Sequence, residues 1–263
     1  MNFLRGGTHS IAARYSAAFL FAVLLCAPAH SSETVQLWVQ SIFGAQQTHS
    51  HLKPFFDEFF TAVGRNYRPK YGNNFPALSR TCASEKYDVV MGSYGTAMRQ
   101  FERECGYHVV ALTDQSIYLY TRDRSSLENI RRVGVIPGVR ASEVDLRKVL
   151  PGGFVVIPYR DHIQATVALL DGDIDGLTSS SVAIKRLAPV LQDSIHIAHT
   201  FEEKGHGVAM LSPRFYATPE GQAFRHFILA NGETSVQIYV EEMGISRWRS
   251  PDKEKPATTA GSE

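Results

Sequence analysis

The stretch Tyr87-Asp-Val-Val-Met-Gly-Ser-Tyr-Gly-Thr-Ala-Met-Arg-Gln-Phe101 joins an apolar run to a helical pattern through a glycine-containing turn. Residues 89–91 predict a short buried strand, and the apolar residues that follow the turn have helical spacing. A turn between a strand and a helix points backbone N–H groups outward at the positive end of the helix dipole, where an anion is stabilised. We therefore predict that the turn Gly92–Gly95 faces a small anionic group.

Strand and helix patterns alternate on both sides of this stretch. Strands that alternate with helices form mainly parallel sheets covered on both faces, so the predicted fold class is α/β. The alternation restarts near residue 120, which predicts two lobes. The predicted strands are 35–39, 67–71, 89–91, 107–112, 116–120, 133–136, 154–157, 174–177 and 195–198. The predicted helices are 52–64, 78–84, 96–105, 142–149, 161–170 and 182–187.

Two of the predicted helices have a clear apolar face. Leu52, Phe55, Phe56, Phe59 and Phe60 form one stripe, which we interpret as core. In the helix that opens at Asp161-His162, the apolar residues Ile163, Val167 and Leu170 lie at i, i+4 and i+7, which is the spacing of a helix.

The N-terminal segment has the pattern of a secretory signal peptide. Arg5 and Arg14 supply positive charge, residues 17–26 are apolar, and Ala27-Pro28-Ala29 matches a cleavage site. We therefore expect residues 1–29 to be removed and the mature protein to lie in the periplasm. An uncleaved N-terminal anchor is the alternative. At the other end, residues 249–263 are polar and contain proline, which predicts a disordered tail.

The charge balance argues against nucleic acid or an anionic membrane as partner. The chain has 27 basic and 26 acidic residues and a formal net charge of +1. Catalytic motifs are also missing from the sequence, which contains no G-x-S-x-G elbow, P-loop or G-x-G-x-x-G. Its closely spaced histidine pairs lack a third zinc ligand. We predict a protein that is not an enzyme, needs no cofactor or metal, and is a monomer.

Candidate binding residues follow the predicted strands. Ligands of open α/β sheets bind beyond the carboxyl ends of the strands, and these ends are rich in hydroxyl groups, glycine, tyrosine and histidine. They suit a small, polar, anionic ligand, although each serine or aspartate could instead only cap its own helix. The segments are 41–47, 92–96, 138–142, 159–162 and 178–181.

These stretches resemble the phosphate/phosphite/phosphonate-binding family of periplasmic solute-binding proteins, which have a two-lobed type II fold and serve ABC importers. The resemblance is carried by four segments, of which the third is the most specific. They are Tyr87–Tyr107 with its Asp-Val-Val-Met-Gly-Ser-Tyr-Gly turn, Val133–Gly138, Asp161–Gly176 with Leu-Asp-Gly-Asp-Ile-Asp-Gly, and Met243–Trp248. The resemblance implies one lobe from residues 30–113 and 209–248, a second from residues 114–208 with the hinge segments, and an ABC permease as partner.

The resemblance also implies a set of ligand-binding residues. An aromatic residue after the first strand corresponds to Phe43, and the acidic residue that binds the amine of an aminophosphonate corresponds to Asp175. The Ser/Thr-rich turn of the family keeps only Ser142 here and gains Arg140, which could bind an oxyanion through a bidentate pair. The remaining expected contacts are Ser93, Tyr94 and Thr96 from the first lobe and His162 from the second.

The two cysteines of the mature chain, Cys82 and Cys105, allow two interpretations. Paired cysteines in an exported protein most often form a disulfide. Sensor relatives of the same fold bind arsenite through cysteine and present it to a membrane histidine kinase, so a soft-ligand site is the alternative. Cys105 ends the helix that starts at the binding edge, about 15 Å away along ten residues, which favours the disulfide.

Overall fold

A computed structural model of the chain describes residues 33–41, 45–72, 78, 86–124, 126–180, 193–230 and 247–251. Several predictions fall outside these residues. They are the signal peptide, Phe43, Cys82, the helix at 182–187, nearly all of the helix at 78–84 and most of the C-terminal tail.

The described residues form strands and helices in alternation, close to the predicted pattern. The strands are β1 (Val35–Gln40), β2 (Tyr67–Gly72), β3 (Val89–Ser93), β4 (His108–Thr121), β5 (Arg132–Val135), β6 (Val155–Pro158), β7 (Gly176–Ser180) and β8 (His196–Leu211). The helices are α1 (Ala45–Ala62), α2 (Thr96–Cys105), α3 (His162–Asp171), α4 (Pro213–Tyr216) and α5 (Pro219–Leu229).

Two long strands connect the two parts of the sheet. Its order is β2-β1-β3-β8-β4-β7-β5-β6, and β4 and β8 pair antiparallel along almost their whole length. At one end β8 pairs with β3, and at the other end β4 pairs with β7. The pairs β1–β2, β1–β3, β5–β6 and β5–β7 are parallel. The predicted α/β class is thus confirmed, with antiparallel pairing introduced by β4 and β8.

We define two halves of the molecule from this topology. The β1 half contains β1, β2, β3, α1 and α2 with the adjoining ends of β4 and β8. The β5 half contains β5, β6, β7 and α3 with the opposite ends of those two strands. The long strands cross from one half to the other near Asp114 and His206, which are paired in register.

The core confirms the predicted apolar stripe of α1. Its five apolar side chains are at most 2% exposed, and they pack beside Leu37 and Val39 on one side of β1. Trp38 points to the other side, where it joins the cluster that contains Met98 and Phe101 of α2. Alternate residues of β1 therefore pack into two different core clusters, one on each face of the sheet, as expected for a strand covered on both faces.

Two strand predictions and one helix prediction were wrong in detail. The predicted strands at 107–112 and 116–120 are parts of a single strand, β4, which begins at His108 and continues through register shifts at Val109/Ala111 and Ser116/Tyr118. The predicted helix at 142–149 is instead two short 3-10 turns, Arg140–Ser142 and Leu146–Lys148. The side chain of Asp145 caps the second turn by accepting a hydrogen bond from Arg147 N (3.2 Å), so the chain restarts there and does not continue as an α-helix.

The helix α3 is present as predicted, but the apolar positions that identified it are not its buried face. Ile163 and Val167 are 49% and 50% exposed. The buried positions include His162, Ala165, Thr166 and Leu169, which have the i, i+3, i+4, i+7 spacing of one helix face. His162 and Thr166 are polar, so a search for apolar residues at helical spacing does not find this buried face. It finds the adjacent face with Ile163 and Val167 instead.

Candidate functional site

A cavity of about 60 Å³ lies between the two halves, beside the long strands. Such a volume accommodates a few water molecules or one small solute. Segments from four of the predicted binding edges line it, namely 92–93, 139–141, His162 and Ser180. The other lining residues are Val39, Gln40, Leu52, Met91, Thr113, Gln115, Ile117, Gly205, Gly207 and Trp248.

The middle of β4 contributes polar groups that the sequence analysis missed. Thr113 is 0% exposed, and its hydroxyl has no hydrogen-bond partner within the described part of the chain. Gln115 lies two residues further along the same strand and also lines the cavity. Residues 113–115 lie between the two strands predicted at 107–112 and 116–120, so the sequence alone indicates a connection there and no site residues. The alternation of a continuous strand would have placed Thr113 and Gln115 on one face.

His162 lies at the start of α3 with 7% of its surface exposed. Its Nδ1 is 3.3 Å from Ser179 Oγ. Burial lowers the pKa of His162 from 6.5 to about 4, and the charge of Asp161 only partly opposes this. The imidazole is therefore neutral at neutral pH and can exchange neutral hydrogen bonds.

Arg140 is the charged side chain among the described residues that line the cavity. Its backbone N donates to Ser93 Oγ (3.3 Å) across the boundary between the halves. Its guanidinium Nη1 lies 3.0 Å from Glu143 Oε2. The positive charge that we predicted for an oxyanion is thus shared with a carboxylate of the protein.

The turn before α2 does receive an anion, and that anion is the side chain of Glu143. Thr96 donates to Glu143 Oε1 through its backbone N and, at 2.6 Å, through its hydroxyl. The other amides of the turn are also bonded within the protein. They pair as Ser93 N with Gln40 Oε1 (2.6 Å), Tyr94 N with His206 O (2.7 Å) and Gly95 N with Ser93 O (2.9 Å).

Three further predicted site residues lie beside the cavity and do not line it. The hydroxyl of Tyr94, which precedes α2, donates a hydrogen bond to the carboxylate of Glu102 within that helix. Thr96 contacts Glu143, as described above. The hydroxyl of Ser142 donates a hydrogen bond to Val139 O (2.7 Å), so this hydroxyl is satisfied within its own turn.

The structure does not bring Asp175 to the cavity. Its Oδ2 accepts hydrogen bonds from the backbone N of Arg131 (3.0 Å) and of Arg132 (2.8 Å), and its Oδ1 lies 2.8 Å from the Arg132 guanidinium. Burial would raise the pKa of Asp175, but these hydrogen bonds outweigh it and lower the pKa below 3.8. Asp175 precedes β7, whose opposite end, Ser180, lines the cavity about 16 Å away along the strand.

Cys105, at the end of α2, is disulfide-bonded, and its predicted partner Cys82 lies outside the described residues. The pairing with Cys82 therefore stays a prediction. In the described ranges no cluster of three or more His, Cys, Asp or Glu side chains could bind a metal ion. No helix in those ranges is both long and apolar enough to cross a membrane.

No protein-family model and no curated protein sequence matches the chain. Solved structures match its fold. A binding protein component of an ABC phosphonate transporter from Pseudomonas aeruginosa superposes with a TM-score of 0.66 at 12% identity, covering 84% of this chain and 82% of the other. PhnD1 from Prochlorococcus marinus in complex with methylphosphonate gives 0.67 at 10% identity, covering 84% and 93%. The VFT2 domain of BvgS from Bordetella pertussis gives 0.58 at 13% identity, covering 82% and 93%.

The chain therefore has the two-lobed type II periplasmic-binding fold, as predicted from the resemblance. Its cavity lies between the two halves of that fold.

Proposed function

We propose that the protein is a periplasmic solute-binding protein that captures a small oxyanion of the phosphonate, phosphite or phosphate type between its two halves. The buried hydroxyl of Thr113, which has no partner in the described residues and lies at the cavity wall, carries this proposal. A buried hydroxyl without a hydrogen bond costs about 1–3 kcal/mol, and a ligand oxygen would remove that cost.

The other cavity groups suit the same ligand class. Gln115 and Ser180 offer neutral donors, His162 offers a neutral imidazole, and Arg140 offers one positive charge that Glu143 partly compensates. This set favours a ligand of small size and low net charge, such as a phosphonate monoanion. Delivery to an ABC permease is supported by the similarity in fold to the binding protein component of an ABC phosphonate transporter.

Ligand binding can be tested by isothermal titration calorimetry and thermal shift with the purified protein. The panel is methylphosphonate, 2-aminoethylphosphonate, phosphite, phosphate, sulfate and arsenite. We expect a saturable increase in melting temperature with at least one phosphorus oxyanion. Each titration is run with and without reductant. An increase with arsenite alone, seen in the reduced protein and lost after its thiols are blocked, would contradict the proposal and indicate the sensor alternative at the cysteines.

The substitution Thr113→Val tests the residue that carries the proposal. Removing an unpartnered buried hydroxyl should raise the melting temperature of the free protein, whereas the affinity for the ligand should fall about tenfold because one hydrogen bond is lost. Thr178→Val is the matched control, since Thr178 is 1% exposed, equally unpartnered in the described chain and outside the cavity lining. It should raise the melting temperature and leave affinity unchanged. Equal affinity in both variants would remove Thr113 from the site.

A further inference from the structure

Glu143 belongs to the β5 half but makes most of its contacts with the β1 half. It follows the turn Arg140–Ser142, and its side chain is 16% exposed. In the β1 half its carboxylate accepts hydrogen bonds from the backbone and hydroxyl of Thr96 and from Arg99 Nη2 (2.8 Å). Arg140 is its partner from its own half. Three residues thus converge on one carboxylate, and two of them come from across the cavity.

The position of this carboxylate is favourable for an anion. It sits at the N-terminus of the ten-residue helix α2, where the helix dipole is positive. The N-cap residue Gly95 has no side chain that could satisfy the first amides. Burial would raise the pKa of Glu143, but the hydrogen bonds from Thr96, Arg99 and Arg140 outweigh it and lower the pKa below 4.5. Glu143 is therefore ionised at neutral pH.

The backbones of the two halves are also in close contact at this point. A Cβ atom built on Gly95 would lie 2.3 Å from Gly138 O and 2.8 Å from Arg140 N. The turn before α2 and the loop before the Arg140–Ser142 turn therefore touch directly. Because Glu143 follows the Arg140–Ser142 turn of the β5 half, its carboxylate can cap α2 only where the two halves are in contact.

We infer that Glu143 is a latch residue that favours the closed arrangement of the two halves independently of a bound ligand. Its carboxylate occupies the N-terminus of α2, where the sequence predicted an anionic ligand. The same carboxylate also positions the Arg140 guanidinium beside the cavity. The latch itself does not depend on the proposed function; only its effect on ligand affinity does.

Single-molecule fluorescence energy transfer can measure the ratio of closed to open molecules in the free protein. Dyes attached through unnatural amino acids at Lys70 on β2 and Val155 on β6 report on the outermost strands of the two halves, and both positions are exposed. In Glu143→Gln we expect the closed-to-open ratio to fall about tenfold or more, since charge-assisted hydrogen bonds across the boundary are lost. Where a ligand has been identified, its affinity should fall as well.

Asp145→Asn is the matched control, because Asp145 pairs with Arg147 within the β5 half and not across the boundary. Its closed-to-open ratio should equal that of the parent protein. Thr96→Val provides an independent second variant, which removes one donor from the opposite half and should give an intermediate ratio. An unchanged ratio in a folded Glu143→Gln variant, or in Thr96→Val if the former does not fold, would overturn the inference. Because the ratio is read without ligand, this result is independent of whether the proposed ligand class is correct.

Discussion

The helices α2 and α3 begin in similar places but are capped in different ways. Each has ten residues and starts beside the cavity after a strand. The first amides of α3 are capped locally, since Asp161 Oδ1 accepts a hydrogen bond from Gln164 N (2.9 Å). At α2 the N-cap is Gly95, and the carboxylate that binds Thr96 comes from Glu143 of the other half.

This difference separates fold stability from closure. A local cap forms whenever its helix forms, so it contributes to the stability of the β5 half in any arrangement of the halves. A cap supplied from the other half exists only in the closed arrangement, so its free energy contributes to closure. Changes at the start of α3 should therefore alter the unfolding equilibrium, whereas changes around α2 should alter the opening equilibrium.

The largest expected effect concerns the pH dependence of stability through His162 at the start of α3. The pKa of His162 is about 4 in the folded protein and about 6.5 in the unfolded chain, so between these values only the unfolded state binds the proton. This group therefore contributes stability above pH 6.5 that is lost as the pH falls to about 4, up to about 3 kcal/mol. Urea unfolding at a series of pH values measures it.

His162→Gln provides the control for this pH dependence. Glutamine does not titrate and can still exchange a hydrogen bond with Ser179, so the variant should lose less stability than the parent between pH 6.5 and 4. Carboxylates elsewhere titrate in both proteins, so the difference between the two curves isolates His162. Parallel curves would show that His162 is not buried in its neutral form.

A smaller effect is expected for Gly95→Ala at the start of α2. The backbone of Gly95 has φ −90°, which alanine adopts without strain, but the new methyl group would meet the backbone of Gly138 and Arg140. Overpacking of this kind costs about 1–3 kcal/mol and is relieved by opening. We expect the closed-to-open ratio to fall about tenfold or more, while the urea midpoint changes little.

Gly153→Ala is the corresponding control, because a Cβ at Gly153 meets no atom within 4 Å. It should leave the closed-to-open ratio unchanged. If Gly95→Ala instead lowered the urea midpoint and left the ratio unchanged, the contact between Gly95 and Gly138 would belong to the rigid fold and not to closure.

The contrast between the two helices also shows which features of the site can be predicted from the sequence. The helix α3 and its start at His162 were predicted because Asp161 is a local capping signal followed by a helical pattern. The turn before α2 was predicted to face an anionic ligand, and the anion that it contacts in the structure is the side chain of Glu143, 47 residues away from Thr96 along the chain. No local pattern connects these positions, because their contact depends on how the two halves meet.

The polar residues Thr113 and Gln115 of the cavity wall could also not be predicted from local sequence patterns. Thr113 and Gln115 lie inside the continuous strand β4, on either side of Asp114, a residue type that is depleted in strands. Pairing with β8 on one side overrides this local preference. Asp175 shows the reverse error. The resemblance to the phosphonate-binding family predicted that Asp175 contacts the ligand, but its carboxylate accepts hydrogen bonds from Arg131 and Arg132.

The smallest expected effect is that of Asp161→Ala at the start of α3. Losing the N-cap should lower the free energy of unfolding by about 1 kcal/mol, measured by the urea midpoint. The closed-to-open ratio should not change, because the partner of Asp161 is Gln164 of the same helix. A variant that opened the halves without losing stability would contradict the division between local and cross-half capping. The expected loss of stability without opening would assign the two carboxylates, Asp161 and Glu143, to different equilibria of the same molecule.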